Sequence, residues 1–400
     1  MKQERKVLEL YIHIPFCVRK CNYCDFLSFP AGREKQEAYM AALFSEIKGR
    51  AREYRGYEVI SVFIGGGTPS VVDADRIVEL LELLNRHYYM TADAEVTIEV
   101  NPGTVSADTL KAYYKAGINR LSIGLQSAND RELQTLGRIH TLEQFLECYE
   151  AARAAGFQNI NVDIMSALPG QSLESYRNTL KRVLALVPLP EHISAYSLIV
   201  EEGTPFARWE EEGSLDVPDE DVERMMYEES KCILEEAGLH RYEISNYARE
   251  GYECRHNCGY WKRVNYVGFG IGAASMVDNV RFHNDSDLEK YLEQPTKCRS
   301  DIQILSVEEQ MEEFMFLGLR MTAGVSEREF YRCFGYKLKE VYGQVIEQNI
   351  RDGLLCYISQ IADDSEVSAD SGQQDCRLAL TQKGLDVSNY VFAQFLFDKD

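Results

Sequence analysis

The sequence of 400 residues has no run approaching the ~18 consecutive apolar residues of a membrane span. Its charged opening, MKQERKVLEL, lacks a signal-peptide core, so a cytoplasmic protein is expected. Basic charge is also short: 43 Lys and Arg stand against 64 Asp and Glu, a formal net charge of −21. Such a charge repels phosphate backbones and anionic lipid, and no local basic patch offsets it, which argues against nucleic acid as a partner. Proline is sparse at 10, glycine ordinary at 27, and 45% of the chain is hydrophobic. That composition is globular and excludes collagen-like, disordered and coiled-coil chains. Cysteine is not scarce. Eleven thiols without an export signal fit a reducing compartment, where clustered cysteines mean metal or catalysis more often than disulfides.

The first three hundred residues alternate two periodicities. Short apolar runs predict strands at 8–14, 59–64, 95–100, 119–126, 159–165 and 191–198. Helical patterns lie between them, at 33–54, 73–87, 105–116, 141–155 and 172–187, with a further one at 219–238. Six β/α units imply parallel strands joined by right-handed crossovers. Six is two short of a closed eight-fold barrel, so the expected fold is α/β, a partial (β/α)6 barrel over 1–240. Within the runs, Leu8, Leu10, Ile12 and Ile14 alternate with Glu9, Tyr11 and His13, and Ile160, Val162 and Ile164 alternate with Asn161 and Asp163. The runs at 95–100 and 119–126 do the same. Successive side chains point to opposite faces of a strand. Helices cover the apolar face, and the polar face lines a cavity. Tyr11, Glu99, Gln126 and Asp163 are then expected near the carboxyl ends of their strands, where barrel sites form.

Directly after the first run comes C-V-R-K-C-N-Y-C, placing Cys17, Cys21 and Cys24 at C-x3-C-x2-C spacing. Three thiolates on a short loop suit a cluster or metal and leave one coordination position vacant, as a reactive site needs. The alternatives are a zinc knuckle completed by His13 or Asp25, and unrelated buried cysteines. After the second run, I-G-G-G-T-P-S contains Gly65, Gly66 and Gly67, which permit close backbone approach and offer amides to a charged ligand.

The cysteine spacing, with Tyr23 in the aromatic place, resembles the signature of the radical S-adenosylmethionine (SAM) superfamily. The resemblance implies a [4Fe–4S] cluster on Cys17, Cys21 and Cys24, with SAM on the fourth iron, cleaved on one-electron reduction to methionine and a 5′-deoxyadenosyl radical. Further motifs are similar to oxygen-independent coproporphyrinogen III oxidase and to its relative, the haem-chaperone branch HemW. They are Y-I-H-I-P-F-C from Tyr11, I-E-V-N-P-G-T from Ile98, R-L-S-I-G-L-Q-S from Arg120, L-G-R-I-H from Leu136 and N-V-D-I-M-S-A-L-P-G from Asn161. By position they imply SAM contacts for Tyr11, Tyr23, Gly66, Gly67, Thr68, Glu99, Gln126, Arg138 and Asp163. Carboxylates suit ribose hydroxyls or an ammonium, and Arg138 suits a carboxylate.

Two departures separate the branches. The decarboxylating enzymes resemble C-x3-C-x2-C-x-C, but Phe26 stands at the fourth cysteine position here, and only 16 residues precede Cys17. Both match the chaperone branch, as does H-N-C-G-Y-W at 256–261, which resembles that branch's H-N-x-x-Y-W motif. The resemblance implies haem as cargo, acceptor haem proteins as partners, and haem binding at His256, with Tyr260 and Trp261 against the porphyrin. Radical decarboxylation of coproporphyrinogen III is the alternative function. The triplet Cys254, His256 and Cys258 suits a second metal or the attachment of a thiol to haem, or is idle. G-F-G-I-G at 268–272 reads as a turn at the barrel rim. An aromatic-rich extension is expected over 241–299, and a C-terminal winged-helix-like domain over 300–400 with helices at 307–319, 326–334 and 337–350 followed by a β-hairpin. The acidic stretch 363–375 reads as mobile.

Overall fold

The computed structural model describes residues 5–359 and 375–397; most of the acidic stretch 363–375 lies outside them. The alternating runs form strands β1 (Lys6–Ile14), β2 (Tyr57–Gly66), β3 (Met90–Val100), β4 (Arg120–Gln126), β5 (Ile160–Ser166) and β6 (His192–Ser197). They pair side by side in that order, all parallel. Helices Arg33–Arg50, Ala74–His87, Ala107–Ala116, Leu142–Ala155, Leu173–Leu184 and Glu220–Glu236 lie where the helical periodicity falls. Their boundaries have local causes. Ser106, Thr141 and Ser172 cap helix starts by accepting a backbone N–H three residues on. Gly117 and Gly156 end two of them with φ of 105° and 113°, a conformation glycine adopts without strain.

The alternation predicts the burial. Leu8, Leu10, Ile12 and Ile14 are fully buried with Leu43, Ile47, Leu80 and Leu84 in one core between strands and helices. Each such side chain contributes about 1.5–3 kcal/mol relative to exposure. The opposite face points to the barrel interior and is mostly polar, with Phe63 on β2 and Met165 on β5 as apolar exceptions.

One strand was not expected. Tyr266–Phe269 pairs parallel with β1 on its free side, Glu9 opposite Tyr266 and Ile12 opposite Phe269. A seventh parallel strand thus extends the barrel, followed by the antiparallel strands Ala274–Val277 and Val280–Asn284. The G-F-G-I-G stretch is therefore a strand end as well as a turn: Gly268 lies in the strand, and Gly270 and Gly272 turn with φ of 95° and 64°.

Two compact units share the chain. The first comprises 1–240, 245–256 and 265–302; the second comprises 241–244, 257–264 and 303–400. The second has its own core of Met311, Met315, Phe330, Leu338, Ile346, Leu378 and Phe395. Helices Val307–Gly318, Glu327–Phe334 and Leu338–Arg351 precede the antiparallel pair Leu355–Ser359 and Cys376–Leu380, the helices-then-hairpin order of a winged-helix-like unit. Among the described residues no helix is long and apolar enough to cross a membrane.

Candidate functional site: a cysteine-lined cavity at the carboxyl ends of the strands

A cavity of about 410 Å³ opens at the carboxyl ends of the barrel strands. Cys17, Cys21, Tyr23 and Cys24 line one side of it. Gly66 ends β2 and Gly67 and Thr68 follow it; Glu99 comes from β3, Gln126 from β4, Asp163 from β5 and Arg138 from the loop after helix Asp130–Thr135. The cysteine loop is held by its backbone. Asn22 donates its amide N–H to Leu136 O at 2.9 Å and its side chain to Thr135 O, Arg19 reaches Gly137 O at 2.6 Å, and Phe206 N–H donates to Asn22 O. His13 closes the loop's far end through Nε2 and Leu27 O at 2.9 Å.

All three thiols are free. Thr68 Oγ1 donates to Cys17 Sγ at 3.6 Å, and Arg138 Nη1 stands 4.0 Å from Cys21 Sγ. The sulfurs share the cavity wall without converging on one point, for among the described residues no three His, Cys, Asp or Glu side chains gather as a single-metal site. A four-iron cluster takes each thiolate on a different iron, and three cysteines on one cavity wall suit it. His13 is committed to Leu27 O and to the Tyr11 hydroxyl. Cys254, His256 and Cys258 form no single-metal site either.

The carboxylates carry the electrostatics. Burial, followed by the neighbouring charge of Asp163, raises Glu99 to about 8. Burial also raises Asp163, partly offset by hydrogen bonds from Asn161 at 2.8 Å and Ser122 at 3.2 Å. Two carboxyls held towards the protonated form at one void favour a cationic ligand, which stabilises their ionised form. Arg138 is not a surface charge: Nη2 donates to Gly124 O at 2.7 Å and to Asn101 Oδ1.

The glycines act by size more than by their amides. Gly66 N–H donates to Glu99 Oε2 at 3.2 Å, Gly67 N–H to Ile14 O and Thr68 N–H to Phe16 O, so these amides are turned into the protein. A Cβ on Gly67 would lie 2.7 Å from Phe16 O, and Gly66 has φ of 115° with the His13 ring against it. The loop can therefore lie directly on the cysteine segment.

Two expected residues lie elsewhere. Tyr11 does not line the cavity. Its hydroxyl meets His13 Nδ1 at 3.0 Å and its ring stacks near Phe63, one layer below, because strand pairing sets Tyr11 level with Phe63 and Phe63 level with Thr97, two residues short of Glu99. His256 is deeper still, with 1% of its surface exposed. Its Nδ1 is 2.8 Å from Ser61 Oγ, and its ring stacks on Phe63 with centroids 5.3 Å apart. Burial, then the charge of Arg120, lowers its pKa to about 3. Asn257 to Trp261 fall in the second unit, where the Arg320 guanidinium covers the Trp261 ring at 4.3 Å.

Asn101, Ser122 and Tyr196 also line the cavity and were not singled out from sequence. Tyr196 had a readable signal: Ile193 and Ala195 alternate with Ser194 and Tyr196 on β6 as on the other strands. Its hydroxyl donates to Gln126 Oε1 at 3.0 Å, and Gln126 sits at φ of 70° to meet it.

A parallel barrel with three cysteines after its first strand defines a class. The model of the Radical SAM superfamily matches residues 11–183, and that of the HemN C-terminal domain matches 305–361. The chain is similar at 35% identity to a protein of Bacillus subtilis named Heme chaperone HemW, over 96% of this chain and 98% of that protein. A Lactococcus lactis protein of the same name is 35% identical over 97% of each, and one of Escherichia coli is 40% identical over 68% of this chain and 70% of its own. Among solved structures, coproporphyrinogen III oxidase (HemN) from Escherichia coli superposes with a TM-score of 0.82 over 98% of this chain and 90% of that one, at 23% identity. That likeness concerns the fold. The chain belongs to the radical SAM superfamily and, within it, to the HemW family.

Proposed function

We propose that this protein is a haem chaperone, binding haem and handing it to acceptor haem proteins, with a [4Fe–4S] cluster on Cys17, Cys21 and Cys24 and SAM beside it in the cavity. One observation carries the reading: near-full-length likeness to relatives named Heme chaperone HemW in a chain that has H-N-C-G-Y-W at 256–261. The cavity's chemistry supports the cofactor part. SAM is cationic at its sulfonium and ammonium, and Glu99 and Asp163 are carboxylates whose proton affinity a cation would lower. Arg138 beside Cys21 suits the SAM carboxylate, and Gln126 suits a polar edge. A reduced cluster, when bound, supplies the electron for SAM chemistry. The neutral imidazole of His256 is the form that ligates iron.

The test is an anaerobic assay of the reconstituted protein with reductant, SAM and coproporphyrinogen III, the porphyrins being resolved by chromatography. A SAM-dependent change in the spectrum of the reduced cluster certifies that the cluster is live. The expected result is no protoporphyrinogen above a Cys21→Ala control, together with haem affinity at least about tenfold weaker in His256→Ala, as loss of a specific ligand implies. Product above the control would overturn the chaperone reading in favour of oxidative decarboxylation.

A further inference from the structure

The histidine of H-N-C-G-Y-W is stowed, and named residues of the barrel do the stowing. Glu9 lies opposite Ser61 in the β1–β2 pairing, and Ser61 opposite Glu95 in the β2–β3 pairing, so three interior side chains from adjacent strands stand on one level. Ser61 Oγ holds His256 Nδ1 at 2.8 Å, and Glu9 Oε2 is 4.0 Å from the same nitrogen. Phe63, two residues above Ser61, stacks on the ring.

Glu95 has a different task. Its carboxylate accepts from the backbone N–H of Arg255 at 3.1 Å and of His256 at 3.2 Å, and from the Cys254 thiol at 3.6 Å. Those contacts fix the main chain where helix Arg255–Trp261 begins. Asp93, two residues earlier on the same strand face, takes the Arg255 guanidinium at 3.1 Å. Strand β3 thus grips the motif's entry while β2 grips its imidazole.

Axial ligation requires an imidazole nitrogen standing clear over a porphyrin plane. A ring that is 1% exposed, stacked on one face and hydrogen-bonded through Nδ1, does not offer that. Resting on the haem-chaperone reading, we infer that Glu95 and Ser61 are positioning residues that keep His256 inside the barrel, and that haem ligation draws on the molecules in which this hold has opened. Apparent affinity is then the intrinsic affinity reduced by the open fraction. Loosening the hold raises that fraction and strengthens haem binding. A merely structural role predicts the reverse, because a distorted site binds worse.

Haem binding to the full chain, followed by stopped-flow absorbance in the Soret region, tests this in wild type, Ser61→Ala, Glu95→Gln and His256→Ala. In Glu95→Gln an amide nitrogen replaces one accepting oxygen and faces an N–H donor. Both loosened variants are expected to bind haem about tenfold faster and tighter with the wild-type spectrum, and adding His256→Ala to Ser61→Ala removes the gain. Wild-type or slower binding by Ser61→Ala, with the spectrum still altered in His256→Ala, overturns the stowing and leaves the haem reading standing. An unaltered spectrum and affinity in His256→Ala overturns that reading and this inference with it. Should Glu95→Gln fail to fold, Ser61→Ala decides alone.

Discussion

The two ends of the barrel are cut from the same strands with the same alternation, yet they handle charge in opposite ways. At the carboxyl end, Glu99 and Asp163 share a void of about 410 Å³, and both are pushed towards the protonated form. At the amino end, Glu9, Arg120, His192 and His256 are almost wholly buried, and both histidines are pushed towards the neutral form. Burial is the first cause in each case. The second cause differs: Glu99 faces another carboxylate, while His192 and His256 face the Arg120 cation. The buried layer settles its charge among its own residues. Arg138 lines the open layer too, but Glu99 and Asp163 face the void, where a cationic ligand lowers their proton affinity.

The comparison can be broken at either end. The largest effect is expected from Cys21→Ala, which removes one thiol from the cavity wall and leaves the amino end untouched. Iron and sulfide content of the reconstituted protein should fall to background, while the apo protein melts as wild type does. Next comes the pH dependence of SAM binding. Below pH 8 Glu99 holds a proton in the free protein, and a cation must expel it. Affinity should therefore rise with pH by up to about tenfold per unit until pH 8, then level off. Calorimetric titration at several pH values reads this, and Glu99→Gln should weaken binding and flatten the profile.

Gly67→Ala should cost on the order of 1–3 kcal/mol in thermal unfolding, because the new Cβ meets the carbonyl of Phe16, which belongs to backbone and cannot swing away. The smallest effect is acid sensitivity. Burial lowers the pKa of His13, His140, His192 and His256, to about 3 for His140 and His256. The unfolded chain takes up these protons near 6.5, so their contribution is complete above about pH 6.5 and is lost as pH falls towards 3. Glu99 and Asp163 act in the opposite sense, their contribution being present at low pH and lost as pH rises through their raised pKa values. With four groups against two, the melting temperature of the apo protein should drop between pH 6.5 and 5. Each group contributes up to about 1.4 kcal/mol per pH unit. His140→Gln should make that drop shallower.

Much of this was legible in the sequence. Period-two alternation is a local property, so Glu99, Gln126 and Asp163 announced an interior-facing site, and C-x3-C-x2-C announced its thiols. The level of Tyr11 was not legible, because alternation gives the face of a strand but not the height at which a residue stands. The strand Tyr266–Phe269 escaped because only pairing with β1, more than 250 residues earlier, makes it a strand. His256 was legible as a motif and opaque in its setting. Six letters carry no sign that Ser61, Phe63 and Glu95 enclose it.

Asn161 gives the barrel interior a direction. Its amide nitrogen donates upward to Asp163 and across to Ser122, while its oxygen accepts from Ser194 and from His192 Nδ1 at 2.7 Å. A carbonyl oxygen only accepts, so the proton of His192 must sit on Nδ1. One side chain therefore gives the hydrogen bonds a single direction, with donors running from the histidine side to the carboxylate side. Asn161→Asp keeps size and shape but supplies no such donor. It would set a third carboxylate beneath the other two, and the tautomer of a histidine on the far side would lose its reference. Anyone re-engineering the cavity for another ligand inherits this polarity and must work with its grain.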